Sequence, residues 1–118
     1  MTLQHHSGGC QCGAVKYEVD IDLDNTFTCN CSRCQKLGSV LAFTPAVNFK
    51  LVQGEDKLTE YLFNKNRIHH LFCKVCGIQS FARAIGKDGT PTVAVNVNCL
   101  DGMEPRQLKS KHVDGKSY

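Results

Sequence analysis

The sequence predicts an all-β fold, and three observations support this expectation. Short runs in which apolar and polar residues alternate recur along the chain, as in strands with one buried face. Glycine, aspartate and proline residues separate these runs. No window of about 11 residues or more has a helical period. We therefore expect a small domain of antiparallel sheets with short strands and turns.

The predicted elements follow in order along the chain. In the first, Val15, Tyr17 and Val19 alternate with charged residues, which gives one apolar and one polar face. The later runs predict strands at 26–31, 40–43, 49–52, 58–63, 67–73, 78–84 and 92–97. Asp88-Gly89 predicts a hairpin turn between the last two strands. A single helical turn is expected at 32–38.

Length and charge limit the functional classes. The 118 residues suit one domain over 1–118, with a core at about 7–101 and a polar C-terminal segment at 103–118. That segment is expected to be a solvated tail or a docked edge segment. The net charge of +3 is weak and dispersed, which argues against nucleic-acid binding.

The expected compartment is the cytoplasm. The first residues show no secretory signal pattern, and no stretch reaches the roughly 20 apolar residues of a membrane span. A soluble protein without a membrane partner is therefore expected, and the sequence does not specify its oligomeric state. In a reducing compartment, the eight cysteines are better explained by metal binding or chemistry than by disulfides.

Four cysteines form two pairs that lie far apart in the sequence. Cys10 and Cys12 make one pair, Cys73 and Cys76 make the other, and a glycine follows each pair. Zinc prefers four such sulfurs in a tetrahedron, about 2.3 Å from the metal. The glycines allow the backbone to reverse with positive φ. We expect one structural zinc here, against the alternative of disulfides or buried thiols.

Three further cysteines fall within six residues. Cys29, Cys31 and Cys34 can surround one metal ion, and no fourth ligand lies nearby in the sequence. Three protein ligands and one open position are typical of a catalytic zinc site, where a substrate thiol can bind as its thiolate. The alternative is a second structural site that Cys99 or a distant histidine closes.

The sequence gives less specific predictions for five other residues near the clusters. Cys99 alone is expected to be a small buried residue. His69 and His70 lie beside Cys73 and are expected to be packed or exposed, although either could act in ligation or proton transfer. Arg33 and Lys36 flank the three cysteines and are either solvated or attract an anionic substrate.

Three motifs carry a resemblance to a known family. They are GCQCGAV at 9–15, CNCSRC at 29–34 and FCKVCG at 72–77. In this order they resemble the glutathione-dependent formaldehyde-activating enzyme family, over about residues 7–101. The run at 70–81 and the residues at 99–101 look closer to the centromere protein V-like branch of that family.

The resemblance implies an Mss4-like β fold with two zinc ions. Cys10, Cys12, Cys73 and Cys76 match the structural site, and Cys29, Cys31 and Cys34 match the ligands of the catalytic site. The implied activity is that of a carbon–sulfur lyase acting on glutathione and formaldehyde. This chain has Asn30 where many members have histidine, which affects substrate detail and not the ligands.

Two functions from different classes remain open at this point. In the first, the second zinc holds a thiol such as glutathione, which adds to formaldehyde or another small aldehyde. In the second, the chain is a non-catalytic zinc scaffold that binds a protein partner, since the centromere branch is known for binding roles. The second hypothesis requires four protein ligands at both metal sites.

Overall fold

The computed structural model describes residues 3–63 and 67–117 and arranges them in two β-sheets. The smaller sheet has the strand order β1-β2-β5, and the larger one has the order β10-β3-β4-β9-β8-β7-β6. All pairings are antiparallel except that of β10 with β3, which is parallel. The structure therefore confirms the predicted β-rich fold with mainly antiparallel strands.

The described elements are short. The strands are β1 Gln4–Gly9, β2 Lys16–Ile21, β3 Thr26–Cys29, β4 Leu41–Pro45, β5 Phe49–Gln53, β6 Leu58–Tyr61, β7 Ile68–Cys73, β8 Phe81–Ile85, β9 Pro91–Asn96 and β10 Ser110–Val113. One α-helix, α1, spans Ser32–Leu37 among the described residues. Single 3₁₀ turns lie at Ala46–Asn48, Glu55–Lys57, Val97–Cys99, Pro105–Gln107 and Gly115–Ser117.

The core lies between the facing sides of the two sheets. In β2 the alternating residues Tyr17, Val19 and Ile21 are at most 1% exposed, as the sequence pattern predicts. They belong to one buried cluster with Ala42, Phe81, Val93 and Val95 from the larger sheet. The rings of Tyr17, Phe49 and Phe81 lie with centroids 4.7 to 5.9 Å apart. This apolar layer is the platform on which the cysteine-bearing loops are held.

Several strand boundaries differ from the sequence expectation. Strand β3 ends at Cys29 rather than at residue 31, because Cys31 is the N-cap of α1. Strand β8 begins at Phe81, since residue 78 still belongs to the loop after Cys76. The strand predicted at 58–63 ends at Tyr61, and residues 64–66 lie outside the described part.

Two strands had no counterpart in the sequence analysis. Strand β1 contains His5, His6 and Ser7, whose polar side chains hide its pairing with β2. Strand β10 shows that the C-terminal segment is docked at an edge rather than being a solvated tail. Among the described residues, no helix is long and apolar enough to cross a membrane.

Candidate metal centres

Cys10, Cys12, Cys73 and Cys76 converge on one point. Their sulfur atoms all lie within 4.8 Å of one another. The Cys10 and Cys12 sulfurs are 3.6 Å apart, and those of Cys12 and Cys73 are 3.8 Å apart. A zinc tetrahedron with bonds of about 2.3 Å requires sulfur separations of about 3.8 Å. The four donors therefore fit a zinc ion, and we refer to them as the four-cysteine cluster.

Two tight loops hold the four-cysteine cluster. Cys10 N–H donates to the carbonyl of Val15 at 3.1 Å, and Val15 N–H donates back to the Cys10 sulfur at 3.3 Å. In the second loop Val75 N–H donates to the Cys73 sulfur at 3.4 Å. Gly13 and Gly77 have φ values of 85° and 82°, which a side chain disfavours. The positive φ predicted for these two glycines is therefore confirmed, and it lets each loop reverse tightly after its cysteine pair.

Backbone donors lower the pKa of two of these thiols, which favours binding of a cation there. The N–H groups of Ile78 and Cys12 lower the pKa of the Cys76 thiol to about 6. The pKa of Cys73 is lowered too, mainly by the N–H of Cys76. Cys73 is fully buried at the end of β7. A buried thiolate needs a partner of opposite charge, which a divalent metal ion provides.

Cys29, Cys31 and Cys34 form a second group, the three-cysteine cluster. Their sulfurs also lie within 4.8 Å of one another. Cys29 ends β3, Cys31 caps α1, and Cys34 lies one turn into the helix. The Cys31 sulfur accepts from Cys34 N–H at 3.3 Å, and the Cys29 sulfur accepts from Cys31 N–H at 3.5 Å. The strand-to-helix turn thus brings the three donors together.

The thiols of the three-cysteine cluster differ in acidity. Burial raises the pKa of Cys34 to about 12. Burial acts in the same direction on Cys31, but the N–H of Cys34 and the neighbouring thiols outweigh it, so the pKa of Cys31 is lowered. Within the described chain this metal-binding group has no fourth member from Cys, His, Asp or Glu. Neither Cys99 nor a described histidine closes the site, contrary to the structural alternative.

The end of the chain covers the three-cysteine cluster. Residues 110–117, here called the C-terminal strap, run beside β3 and then reach the cluster at Gly115. A Cβ on Gly115 would overlap the Cys29 sulfur and lie 3.4 Å from the Cys31 Cβ. Asn30 fastens this segment, since its side-chain amide donates to Asp114 at 2.8 Å. Sequence analysis missed this contact because a lone glycine in a polar tail carries no signal.

A cleft lies beside the helix of the three-cysteine cluster. Its volume is about 500 Å³, and the described residues that line it are Ser32, Arg33, Lys36, Leu37, Tyr61 and Phe63. The cleft therefore borders on α1, although none of the three cysteines is among these residues. Arg33 and Lys36, which the sequence analysis considered as anion-attracting residues, lie on the wall of the cleft. The sequence analysis did not predict that Tyr61 and Phe63 would also line it.

The remaining candidate residues lie outside both clusters. Cys99 is half-buried, and burial followed by the proximity of Cys10 and Cys76 raises its pKa to about 11. His69 is 3.0 Å from Glu60 on the neighbouring strand. His70 is buried, and burial followed by the charge of Arg33 lowers its pKa to about 4. These residues therefore offer packing and surface pairing rather than metal ligation.

A comparison with protein families identifies the chain. The family model described as glutathione-dependent formaldehyde-activating enzyme matches residues 5–113. The chain belongs to this family. The match is longer than the motif-based resemblance. It includes β10 and all of β1 except its first residue, and these are the two strands that the sequence pattern did not predict. The closer likeness to the centromere protein V-like branch stays a prediction.

A solved structure supports the same assignment. The crystal structure of a Rhodobacter sphaeroides protein, a structural genomics target, is 31% identical in sequence and superposes with a TM-score of 0.81. The alignment covers 91% of this chain and 99% of that chain. That protein thus shares the fold of this chain over nearly its whole length, and the two clusters of this chain are compatible with metal binding.

Proposed function

We propose that this chain is a zinc-dependent carbon–sulfur lyase of the S-(hydroxymethyl)glutathione synthase type. It joins a thiol such as glutathione to formaldehyde or a related small aldehyde. The observation that carries this proposal is the three-cysteine cluster, which converges without a fourth ligand from the described part of the chain. Membership of the formaldehyde-activating family supports the choice of substrates.

The two clusters receive different roles in this proposal. The four-cysteine cluster holds a structural zinc, since it offers a complete tetrahedral donor set. Cys29, Cys31 and Cys34 hold a second zinc, which supplies an open position where a thiol is acidified. Weaker loading of this second site is expected, because one protein ligand fewer is present.

The reaction balances without an oxidant or a reductant. The substrate sulfur forms a bond to the aldehyde carbon, and the carbon–oxygen π bond opens. The thiol proton ends on the new hydroxyl oxygen. The chain contributes mainly proximity, because it holds the thiol and excludes competing orientations. Thiols add to formaldehyde readily without a catalyst, so the required acceleration is small.

The free cysteines support a cytoplasmic location. All eight cysteines are free, and half of them lie in the four-cysteine cluster where oxidation would remove metal ligands. A reducing compartment preserves such thiolates. The expected ligands are therefore a small thiol and an aldehyde, with no nucleic acid and no membrane among the partners.

The scaffold hypothesis requires a fourth protein ligand at the three-cysteine cluster. A purely structural zinc needs four protein ligands, and the described residues provide three. No observation in the described chain favours this function over the enzymatic one.

The test measures exchange between free and thiol-bound formaldehyde by ¹³C NMR with zinc-loaded protein. The wild type is expected to accelerate exchange with glutathione above the uncatalysed rate. Cys31→Ser should remove the acceleration, whereas Cys99→Ser should keep it because Cys99 lies outside both clusters. The proposal fails if the wild type gives no acceleration, or if Cys31→Ser retains all of it.

A further inference from the structure

Arg33 is fixed in place by a neutral partner. Its Nε and Nη2 groups both donate to the side-chain oxygen of Gln79, at 2.9 and 2.6 Å. Its guanidinium also lies over the ring of Tyr61, 4.6 Å from the ring centre. Gln79 is only 6% exposed, and its amide nitrogen is 3.3 Å from Nδ1 of His70. The guanidinium is therefore oriented before any ligand arrives.

The positive charge of Arg33 has no counter-charge in this network. Gln79 is neutral, and His70 is neutral at physiological pH because its pKa is lowered to about 4. Within residues 3–63 and 67–117, Arg33 makes no ion pair with an acidic side chain. Lys36, one helical turn further on, adds a second cation on the same cleft. An anion is the ligand that this arrangement lacks.

The shape of the free donors indicates which anion fits. Arginine has five N–H groups, and Gln79 occupies those along one edge of the guanidinium. The end formed by Nη1 and the remaining Nη2 hydrogen stays available for a bidentate bond to a carboxylate. Leu37, Tyr61 and Phe63 provide apolar wall beside it. A carboxylate on an organic backbone therefore suits the cleft better than a bare inorganic ion.

We propose that the cleft between α1 and the end of β6 binds a carboxylate of the thiol substrate, with Arg33 as its recognition residue and Gln79 as a positioning residue. The proposal rests on the proposed function, since it assigns the distal part of that substrate. Ser32 lines the cleft and directly follows Cys31, so the cleft adjoins the start of α1, where the three-cysteine cluster lies. The cleft makes the protein select anionic thiols over neutral ones.

The direct test uses S-methylglutathione, whose blocked sulfur isolates carboxylate recognition from metal ligation. Calorimetry should detect binding to the zinc-loaded wild type, and Arg33→Gln should weaken it about tenfold or more, as expected for a charge-assisted bond. Arg106→Gln is the matched control, because Arg106 is exposed and does not line the cleft. The dimethyl ester of the same ligand should not bind. Absence of wild-type binding, or equal weakening by both variants, overturns the proposal.

Kinetics separate recognition from a structural effect. Arg33→Gln and Gln79→Met should raise the KM for glutathione and thereby lower its kcat/KM by a larger factor than the kcat/KM for 2-mercaptoethanol. If Arg33 only balances the charge of the metal centre, its variant instead loses zinc and activity toward both thiols alike, which overturns the proposal.

The two proposals fail in different ways. Arg33-dependent binding of S-methylglutathione without turnover of any thiol would retain the cleft assignment and reject the enzymatic function. Equal acceleration of glutathione and 2-mercaptoethanol, without S-methylglutathione binding, would retain the function and reject the cleft assignment.

Discussion

The two cysteine clusters differ in how the chain builds them. The four-cysteine cluster joins residues that are more than 60 positions apart in the sequence. The sulfur atoms of Cys12 and Cys73, for example, are 3.8 Å apart. The three-cysteine cluster is local, because one strand-to-helix turn supplies all its members. A metal in the first cluster closes a long loop, which restricts the unfolded chain strongly, whereas a metal in the second closes almost none.

The contrast suggests that the four-cysteine cluster serves the stability of the fold and the three-cysteine cluster serves ligand chemistry. The first cluster combines a complete donor set with a fully buried member, Cys73, at the end of a core strand. The second consists of half-buried thiols at the start of a helix that borders on a cleft, and the described residues supply it with three donors. We therefore expect substitutions in the first cluster to destabilise the fold and those in the second to affect ligand chemistry.

The largest expected effect comes from exchanging one cysteine in each cluster for serine. Cys73→Ser should lower the free energy of unfolding by about 4 kcal/mol or more, because it removes a buried ligand of the structural metal. Cys31→Ser should cost less than about 1 kcal/mol, since serine is a favourable N-cap and can still accept from Cys34 N–H. Thermal unfolding and zinc content of the two variants provide the measurement.

Equal destabilisation by both substitutions would contradict the difference in role between the two clusters. If Cys31→Ser unfolds as readily as Cys73→Ser, the three-cysteine cluster is structural and the scaffold hypothesis gains support. Cys99→Ser controls for the general cost of replacing a half-buried thiol outside both clusters. It should leave zinc content unchanged.

Sequence reasoning was most successful where local spacing determines geometry. The convergence of Cys29, Cys31 and Cys34 depends on a single turn, and the i, i+2 and i, i+3 spacings reveal it directly. The pairing of Cys10 and Cys12 with Cys73 and Cys76 was also predicted, because two cysteine pairs supply the four donors of a tetrahedral site and the glycine after each pair permits a tight turn. The alternating pattern of β2 likewise identified one side of the core.

The sequence analysis did not predict contacts made by polar residues that belong to no motif or periodic pattern. Gln79 orients Arg33 across the fold, and nothing in its sequence neighbourhood distinguishes it from a surface glutamine. Strand β10 consists of Ser110–Val113, whose mixed polarity gives no strand period. Its position depends on parallel pairing with β3, which is a tertiary contact between segments more than 80 residues apart.

A smaller effect is expected from Gly115→Ala at the strap. The added Cβ would overlap the Cys29 sulfur, so either the strap or the cluster must shift. Overpacking of this kind costs about 1–3 kcal/mol. The variant should react faster with a thiol reagent at Cys29, and its four-cysteine cluster should stay protected. Mass spectrometry after timed alkylation identifies which thiols react.

Lys111→Ala is a suitable control for the strap. Lys111 is exposed in β10 and lies in the same paired segment, so its loss tests the strap without a steric conflict at the cluster. Unchanged reactivity of Cys29 in Gly115→Ala would show that the strap does not cover the cluster in solution. The contrast between a first cluster with a fully buried member and a second one that the strap contacts would then need revision.

The smallest expected effect concerns the network that lies between the two clusters. His70 contacts Gln79, which holds Arg33 next to Cys34 and follows Cys76 by three residues. Burial, then the charges of Arg33 and His69, lower the pKa of His70 from 6.5 to about 4. The unfolded chain therefore binds a proton between these two values that the native chain does not bind.

The sign of the resulting pH dependence follows from this difference. Native stability is retained above about pH 6.5 and is lost as the pH falls toward 4, because protonation favours the unfolded state. Between pH 6 and 5 the wild type should lose about 1 kcal/mol more than His70→Gln, which cannot titrate. Urea unfolding at each pH measures the loss. Zinc release in acid affects both proteins, so it cancels in the difference; parallel pH profiles would show that His70 is not buried as a neutral side chain.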